Sequence, residues 1–172
     1  MRNAKRYMPF ILTILIVAAD QITKALVVRF IPLNTVGASF WGDFLIICHV
    51  RNTGAAFSLG SGSSDLLRIL VFIILPFAMM ILICFLVASG KTFLTEAQRW
   101  FAAGIAGGGF GTLADRIFRF DKGVVDFISV KFYGLFGLER WPAFNFSDSC
   151  VVIFVILFAI SALVSGREKN ER

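Results

Sequence analysis

One histidine and three cysteines are all the imidazole and thiol that the 172 residues contain. With His49 alone, a zinc site built on two histidines is impossible, and a Ser-His-Asp triad would have to use that residue. His49 reads instead as an ordinary strand residue. Cys48, Cys84 and Cys150 show no C-x-x-C spacing, and the last two fall inside apolar runs where packing explains them, so neither a disulfide nor a metal role is expected. Charge is scarce as well: Asp, Glu, Lys and Arg make up 16% of the chain. The net charge is +6, but the basic residues are scattered between apolar blocks and form no run that would hold nucleic acid. Anionic lipid headgroups are the expected partner of that charge.

What the chain has in place of charge is hydrocarbon. It is 58% hydrophobic, with 20 phenylalanines and a mean hydropathy of +0.81, which makes lipid its main solvent and predicts a single integral membrane domain over residues 1–172. Crossing the hydrocarbon layer takes about 20 mostly apolar residues in a helix. Four segments answer to that: 9–28, 69–88, 100–114 and 146–164. The second is free of charge, the first is interrupted by Asp20 and Lys24, and the third is short, glycine-rich and ends at Asp115-Arg116.

Between the spans, Phe44 to Val50 and Val124 to Phe132 are rich in β-branched and aromatic residues, with turn signals at Asn52-Thr53-Gly54 and Gly123. The expected fold class is therefore a mainly α membrane protein, four transmembrane helices with a small extracytoplasmic β-sheet on the outer membrane face. The sheet would come from segments 29–68 and 115–145. Residues 1–7, 89–99 and 165–172 carry eight Lys or Arg over a short total length, whereas 29–68 and 115–148 spread eight over a much longer one. Positive charge concentrated near span ends marks the cytoplasmic side, so both termini are expected there. Arg2, Lys5 and Arg6 before an apolar run, with Val17-Ala18-Ala19 behind it, also fit a cleavable leader. Against cleavage, the apolar pattern resumes at Ala25, and Asp20 to Lys24 has the i, i+4 spacing that supports a continuing helix.

Charges in such surroundings are expensive, and that singles out two aspartates. Asp126 sits in Val124-Val125-Asp126-Phe127, on the strand face shared by Val124, Ile128 and Val130. Asp148 follows Phe144-Asn145-Phe146-Ser147, and Asn145 has N-cap spacing, which would put Asp148 in the first turn of the fourth span, where unpaired N–H groups and the helix dipole favour a carboxylate. Burial raises a carboxyl pKa, and a second carboxylate nearby splits the pair into proton donor and acceptor. If the two meet in space, they read as an aspartyl hydrolase dyad; if they do not, a capping acid and a solvent-facing strand residue suffice. Asp20 and Lys24, inside the first span, read as a mutual ion pair or as a brace for the site. Gly104-x-x-x-Gly108 and Gly107-x-x-x-Gly111 allow close approach by neighbouring helices. Arg116 could pair with an acid, bind a lipid phosphate or simply snorkel. Acids inside a membrane also serve proton relays, so a small proton-coupled transporter using Asp20, Asp126 and Asp148 is the alternative class, and a non-catalytic scaffold is a third possibility.

Taken in order, Asp20-Gln21-x-Thr23-Lys24, Asn52-x-Gly54-x-Ala56-Phe57, Gly107-Gly108-x-x-Gly111-x-x-x-Asp115-Arg116, Val125-Asp126-Phe127 and Phe144-Asn145-x-x-Asp148 resemble the motif series of the lipoprotein signal peptidases, the type II signal peptidases of bacteria, over nearly the whole chain. The resemblance implies an intramembrane aspartyl protease of the bacterial cytoplasmic (inner) membrane. Such an enzyme cuts prolipoproteins on the amino side of a diacylglyceryl-modified cysteine, without a metal or other cofactor. It assigns the catalytic dyad to Asp126 and Asp148, and supporting or substrate-positioning roles to Asp20, Lys24, Asn52, Gly54, Asp115, Arg116 and Asn145. Prolipoproteins, membrane lipids and globomycin-like inhibitors are the implied partners. Two positions depart from the family pattern: Thr112 stands where asparagine is usual, and Ser147 where alanine usually precedes the second aspartate.

Overall fold

The computed structural model describes residues 2–54, 64–89 and 94–170. Two helices open the chain, α1 (Arg2–Tyr7) and α2 (Pro9–Phe30), with Pro9 in the first turn of α2, where its missing N–H leaves no bond unmade. α3 (Asp65–Ile69), a π turn (Leu70–Ile74) and α4 (Leu75–Ala88) run on as one rod. Pro76 explains the local widening, since it has no N–H to give the carbonyl one turn back. α5 (Glu96–Phe118) starts with a reciprocal cap, Thr95 Oγ1 accepting from Gln98 N at 3.2 Å while Gln98 Oε1 accepts from Thr95 N at 3.0 Å. α6 (Phe146–Asn170) closes the chain.

Three helical stretches are long and apolar enough to cross a membrane, Lys5–Phe30, Asp65–Ala88 and Phe146–Ser165. They carry the expected first, second and fourth spans. The segment expected to be the third span lies in α5, which is not among these apolar helices but is the hub of the bundle, packed against α2, α4 and α6. Its glycines explain how. A Cβ on Gly104 would strike Phe154, one on Gly107 would strike Ile16, and one on Gly108 would lie 2.6 Å from both the Ser147 carbonyl oxygen and Val151. The small-residue spacings thus let α2 and α6 approach the α5 backbone directly. Thr13 adds a buried hydroxyl bond to the Ala103 carbonyl at 2.7 Å.

The sheet has three antiparallel strands in the order β1 (Val36–Phe40), β2 (Leu45–Asn52) and β3 (Val124–Val130). β2 and β3 fall where β-rich runs were expected; β1 carries no comparable run. Leu45 pairs with Val130 and Asn52 with Val124, with a register shift between Ile47 and Val50. After β3 the chain turns back alongside it: Phe144 N donates to the Ile128 carbonyl at 2.9 Å, and Ile128 N to the Phe144 carbonyl at 2.8 Å. This return delivers the first turn of α6 to the middle of β3. Val27, Val125 and Phe127 form the apolar cluster that fixes the sheet to α2.

Candidate active site

Asp126 is buried on β3 and Asp148 is half-buried in the first turn of α6, and one side chain connects them. Asn145 Nδ2 donates to Asp126 Oδ1 at 2.7 Å, while Asn145 Oδ1 accepts from the Asp148 backbone N–H at 3.0 Å. Asp148 Oδ2 accepts in turn from the Asn145 backbone N–H at 3.1 Å. Asn145 is therefore the N-cap of α6, as its spacing suggested, and Asp148 closes a reciprocal cap with it. The residues that start the helix also fix the geometry between the two carboxyl groups.

Asn52 supplies the second amide, donating from Nδ2 to Asp126 Oδ2 at 3.3 Å while its Oδ1 accepts from Gly54 N at 3.0 Å. The turn foreseen at Asn52-Thr53-Gly54 is thus an Asx turn that aims an amide at Asp126. Ala56 and Phe57, the next residues of that motif, lie outside the described residues. Arg116 donates to the Gly54 carbonyl and lies 4.9 Å over the Phe72 ring. It makes no ion pair within 4 Å among the described residues, but it lines the same cavity as Asp126 and Asp148.

Behind the two aspartates lies a second acidic pair. Lys24 Nζ is 2.8 Å from Asp20 Oδ2 and 2.9 Å from Asp115 Oδ2, all three side chains being shut off from solvent. Arg119 contacts the other Asp115 oxygen. The remaining bonds of these acids reach the site's backbone. Asp20 Oδ1 accepts from Ser147 N at 3.0 Å, one residue before Asp148, and Asp115 Oδ2 lies 3.4 Å from Val125 N, one residue before Asp126. A single lysine thus ties together two clamps, one on each segment that carries a candidate catalytic aspartate. The ion pair expected within α2 exists, but its third member, Asp115, is not visible from spacing. Gln21 adds a bond from Nε2 to Asp20 Oδ2 and another to the Gly111 carbonyl, both at 3.1 Å.

Burial, followed by the nearby charge of Asp148, pushes the Asp126 carboxyl up to about 7, against the opposing bonds from Asn145 and Asn52. Asp126 and Asp148 line a cavity of about 270 Å³ together with Asn52, Thr112, Arg116 and Trp141. Asp148 and Trp141 also border an apolar cavity of about 400 Å³, walled by Val130, Phe132, Phe144 and Val152 among others. A chamber into which two carboxyls project thus adjoins one that is almost wholly apolar, which suits a molecule with a peptide end and a hydrocarbon end. Among the described residues no group of His, Cys, Asp and Glu is placed to hold a metal ion. The three cysteines are unbonded, and His49 lies in β2 with Nδ1 2.8 Å from the Ile31 carbonyl.

A family profile described as Signal peptidase (SPase) II matches residues 12–164. The chain belongs to the signal peptidase II family. It is 46% identical to a lipoprotein signal peptidase of Treponema denticola over 172 residues, covering 99% of this chain and 98% of the relative. It is 44% identical to that of Treponema pallidum over 168 residues, covering 95% of this chain and 87% of the relative. Among solved structures, one titled a bacterial membrane enzyme determined by the in meso method at 2.3 Å resolution superposes with a TM-score of 0.78 at 25% identity, covering 96% of this chain and 93% of that one. The family is one of proteases that remove signal peptides from prolipoproteins, and nothing in these similarities supports the transporter alternative. Composition alone did not reveal Trp141, Phe72 or Arg119. Gln21 stood within a quoted motif, and its neighbour Asp20 was the only signal for it.

Proposed function

We propose that this signal peptidase II is an aspartic endopeptidase whose catalytic pair is Asp126 and Asp148, cutting diacylglyceryl-modified prolipoproteins on the amino side of the modified cysteine. The observation that carries this reading is the Asn145 bridge, which joins both carboxyl-bearing segments at the wall of one cavity. With Asp126 raised to about 7, that carboxyl can carry a proton near neutrality, within a pair that titrates as a unit. The ionised member takes a proton from water, which attacks the scissile carbonyl. The protonated member hydrogen-bonds the carbonyl oxygen and then protonates the leaving amine.

Asp20, Lys24 and Asp115 position the two segments, Asn52 and Asn145 orient Asp126, and Arg116 with the Gly54 carbonyl holds the turn above the cavity. The apolar chamber beside Asp148 takes the acyl chains of the substrate, and a globomycin-like inhibitor occupies the same two chambers. In the membrane, α5 is a fourth span shielded by its neighbours, the sheet lies on the outer face of the bacterial cytoplasmic membrane, and both termini are cytoplasmic. The bias of Lys and Arg toward residues 1–7, 89–99 and 165–172 supports that orientation.

The test is cleavage of a purified lipidated preprotein by Asp126→Asn and Asp148→Asn. Each substitution should lower kcat by about 10²–10⁴-fold or more, with the thermal transition in detergent retained. Substantial turnover by either variant removes the dyad.

A further inference from the structure

Most exposed apolar side chains of the chain lie on the helices, where lipid accounts for them, but a separate set stands on the sheet. The β1–β2 turn ends in Trp41, 77% exposed, and the loop after β3 carries Tyr133 and Phe136, 67% and 82% exposed. The register puts them at one end: Phe40 is opposite Leu45, Leu45 is opposite Val130, and Lys131 N donates to the Phe44 carbonyl at 2.7 Å. Trp41, Tyr133 and Phe136 all hold left-handed backbone angles, with φ of 53°, 52° and 56°, a conformation disfavoured for bulky residues. Strain spent on turning aromatic rings outward at two adjacent tips calls for an occupant of that surface.

We propose that this end of the sheet is inserted into the interfacial layer of the outer leaflet, so that its aromatic tips set the depth of the cavity against the bilayer. The proposal rests on the peptidase reading for the side of the membrane only. The apolar stretch Phe146–Ser165 begins two residues after Phe144, which is bonded to Ile128. Val130 is two strand residues further on, about 7 Å away, and the layer between hydrocarbon core and water is about 5–8 Å deep on each side. Val130, at the end of the strand from which the tips project, is therefore within reach of that layer. Tryptophan and tyrosine favour this depth because their rings are apolar while their N–H and O–H groups stay hydrated. The charges beside the tips compensate one another: Arg140 lies 3.8 Å from Asp43, and Lys131 lies 3.7 Å from Glu139 and 5.4 Å from the Tyr133 ring centre. The contact is therefore made by rings and not by headgroup charge.

The test uses the full chain in nanodiscs containing lipids brominated near the headgroup or near the chain end. The difference in emission between the natural chain and Trp41→Phe reports Trp41 alone, and Phe136→Trp in the Trp41→Phe background reports the second tip. The expected result is blue-shifted emission at both tips, stronger quenching by shallow than by deep bromines, and no change between zwitterionic and anionic lipid. Quenching by aqueous iodide but not by bromolipid overturns the proposal in favour of a solvated surface. Blue-shifted emission that no bromolipid quenches overturns it in favour of a protein partner or a second copy. Because the readout needs no turnover, a chain that cleaves but keeps aqueous tips removes the membrane contact alone. A chain that is quenched but does not cleave supports the contact and removes the peptidase reading alone.

Discussion

Two pairs of carboxylates stand in the same apolar bundle, and their surroundings treat them in opposite ways. Asp20 and Asp115 share the Lys24 ammonium at 2.8 and 2.9 Å, Asp115 turns its other oxygen to Arg119, and each acid also accepts from a backbone N–H. Asp126 and Asp148 have no such cation among the described residues; amide and backbone donors are all they receive. Acids held by cations in this way are suited to brace the segments they bond. The buried Asp126 carboxyl, raised to about 7, can hold a proton near neutral pH, which is what acid–base chemistry requires. Cations in direct contact, Lys24 and Arg119, distinguish the first pair, and under the proposed function they separate a brace from a reacting pair.

The strongest way to break this contrast is to remove that lysine. Lys24→Met leaves two buried carboxylates facing each other and should cost about 3–5 kcal/mol of stability, read as a fall in the denaturation midpoint in detergent. Combining it with Asp20→Asn and Asp115→Asn should recover most of that loss, because amide oxygens still accept from Ser147 and Val125 without charge. If Lys24→Met is as stable as the natural chain, the lysine is not the compensating group.

pH probes the uncompensated pair. The Asp126 carboxyl is raised from an ordinary 3.8 to about 7, so the folded chain holds a proton that the unfolded chain releases between those values. Stability should fall by a few kcal/mol as pH rises from 4 to 7 and level off above, and Asp126→Asn should flatten that slope. Turnover should decline above about 7, as the pair loses its remaining proton. A rate that is flat from pH 6 to 9 contradicts the shared-proton assignment.

Asn145→Ala removes the bridge while leaving both acids. Losing a bond to a charged group is worth about 1.5–3 kcal/mol, so kcat/KM should fall by roughly 10–150-fold. The lost helix cap should cost about 1 kcal/mol in stability. The smallest effect belongs to Ser147. Its hydroxyl is buried against Gly111 without a bonding partner among the described residues, so Ser147→Ala should raise stability by about 1 kcal/mol and leave kcat unchanged. The bond to Asp20 comes from the Ser147 backbone, which alanine keeps. This explains how the departure from the family pattern is tolerated. Thr112, the other departure, lines the cavity with the aspartates.

Much of this was legible in the chain. Apolar runs located the three helices long and apolar enough to cross a membrane, β-rich runs located β2 and β3, and Asn145 and Asp148 announced a cap by spacing alone, because those signals arise from the residue and its near neighbours. β1 was not legible, since Val36-Gly37-Ala38-Ser39-Phe40 has no strong strand preference and forms only by pairing with β2. The reach of Lys24 from Asp20 to Asp115 was equally hidden, because the two acids are far apart in sequence and meet only where α5 glycines let α2 approach.

The sequence by itself determined that the chain lives in lipid, and that any carboxylate placed there must be paired, protonated or used. That follows from the cost of charge in hydrocarbon, which no fold can alter. Only the tertiary structure decided which carboxylates are paired and which are left to hold a proton. Compensation depends on distances of about 3 Å between segments whose separation along the chain carries no information about their separation in space.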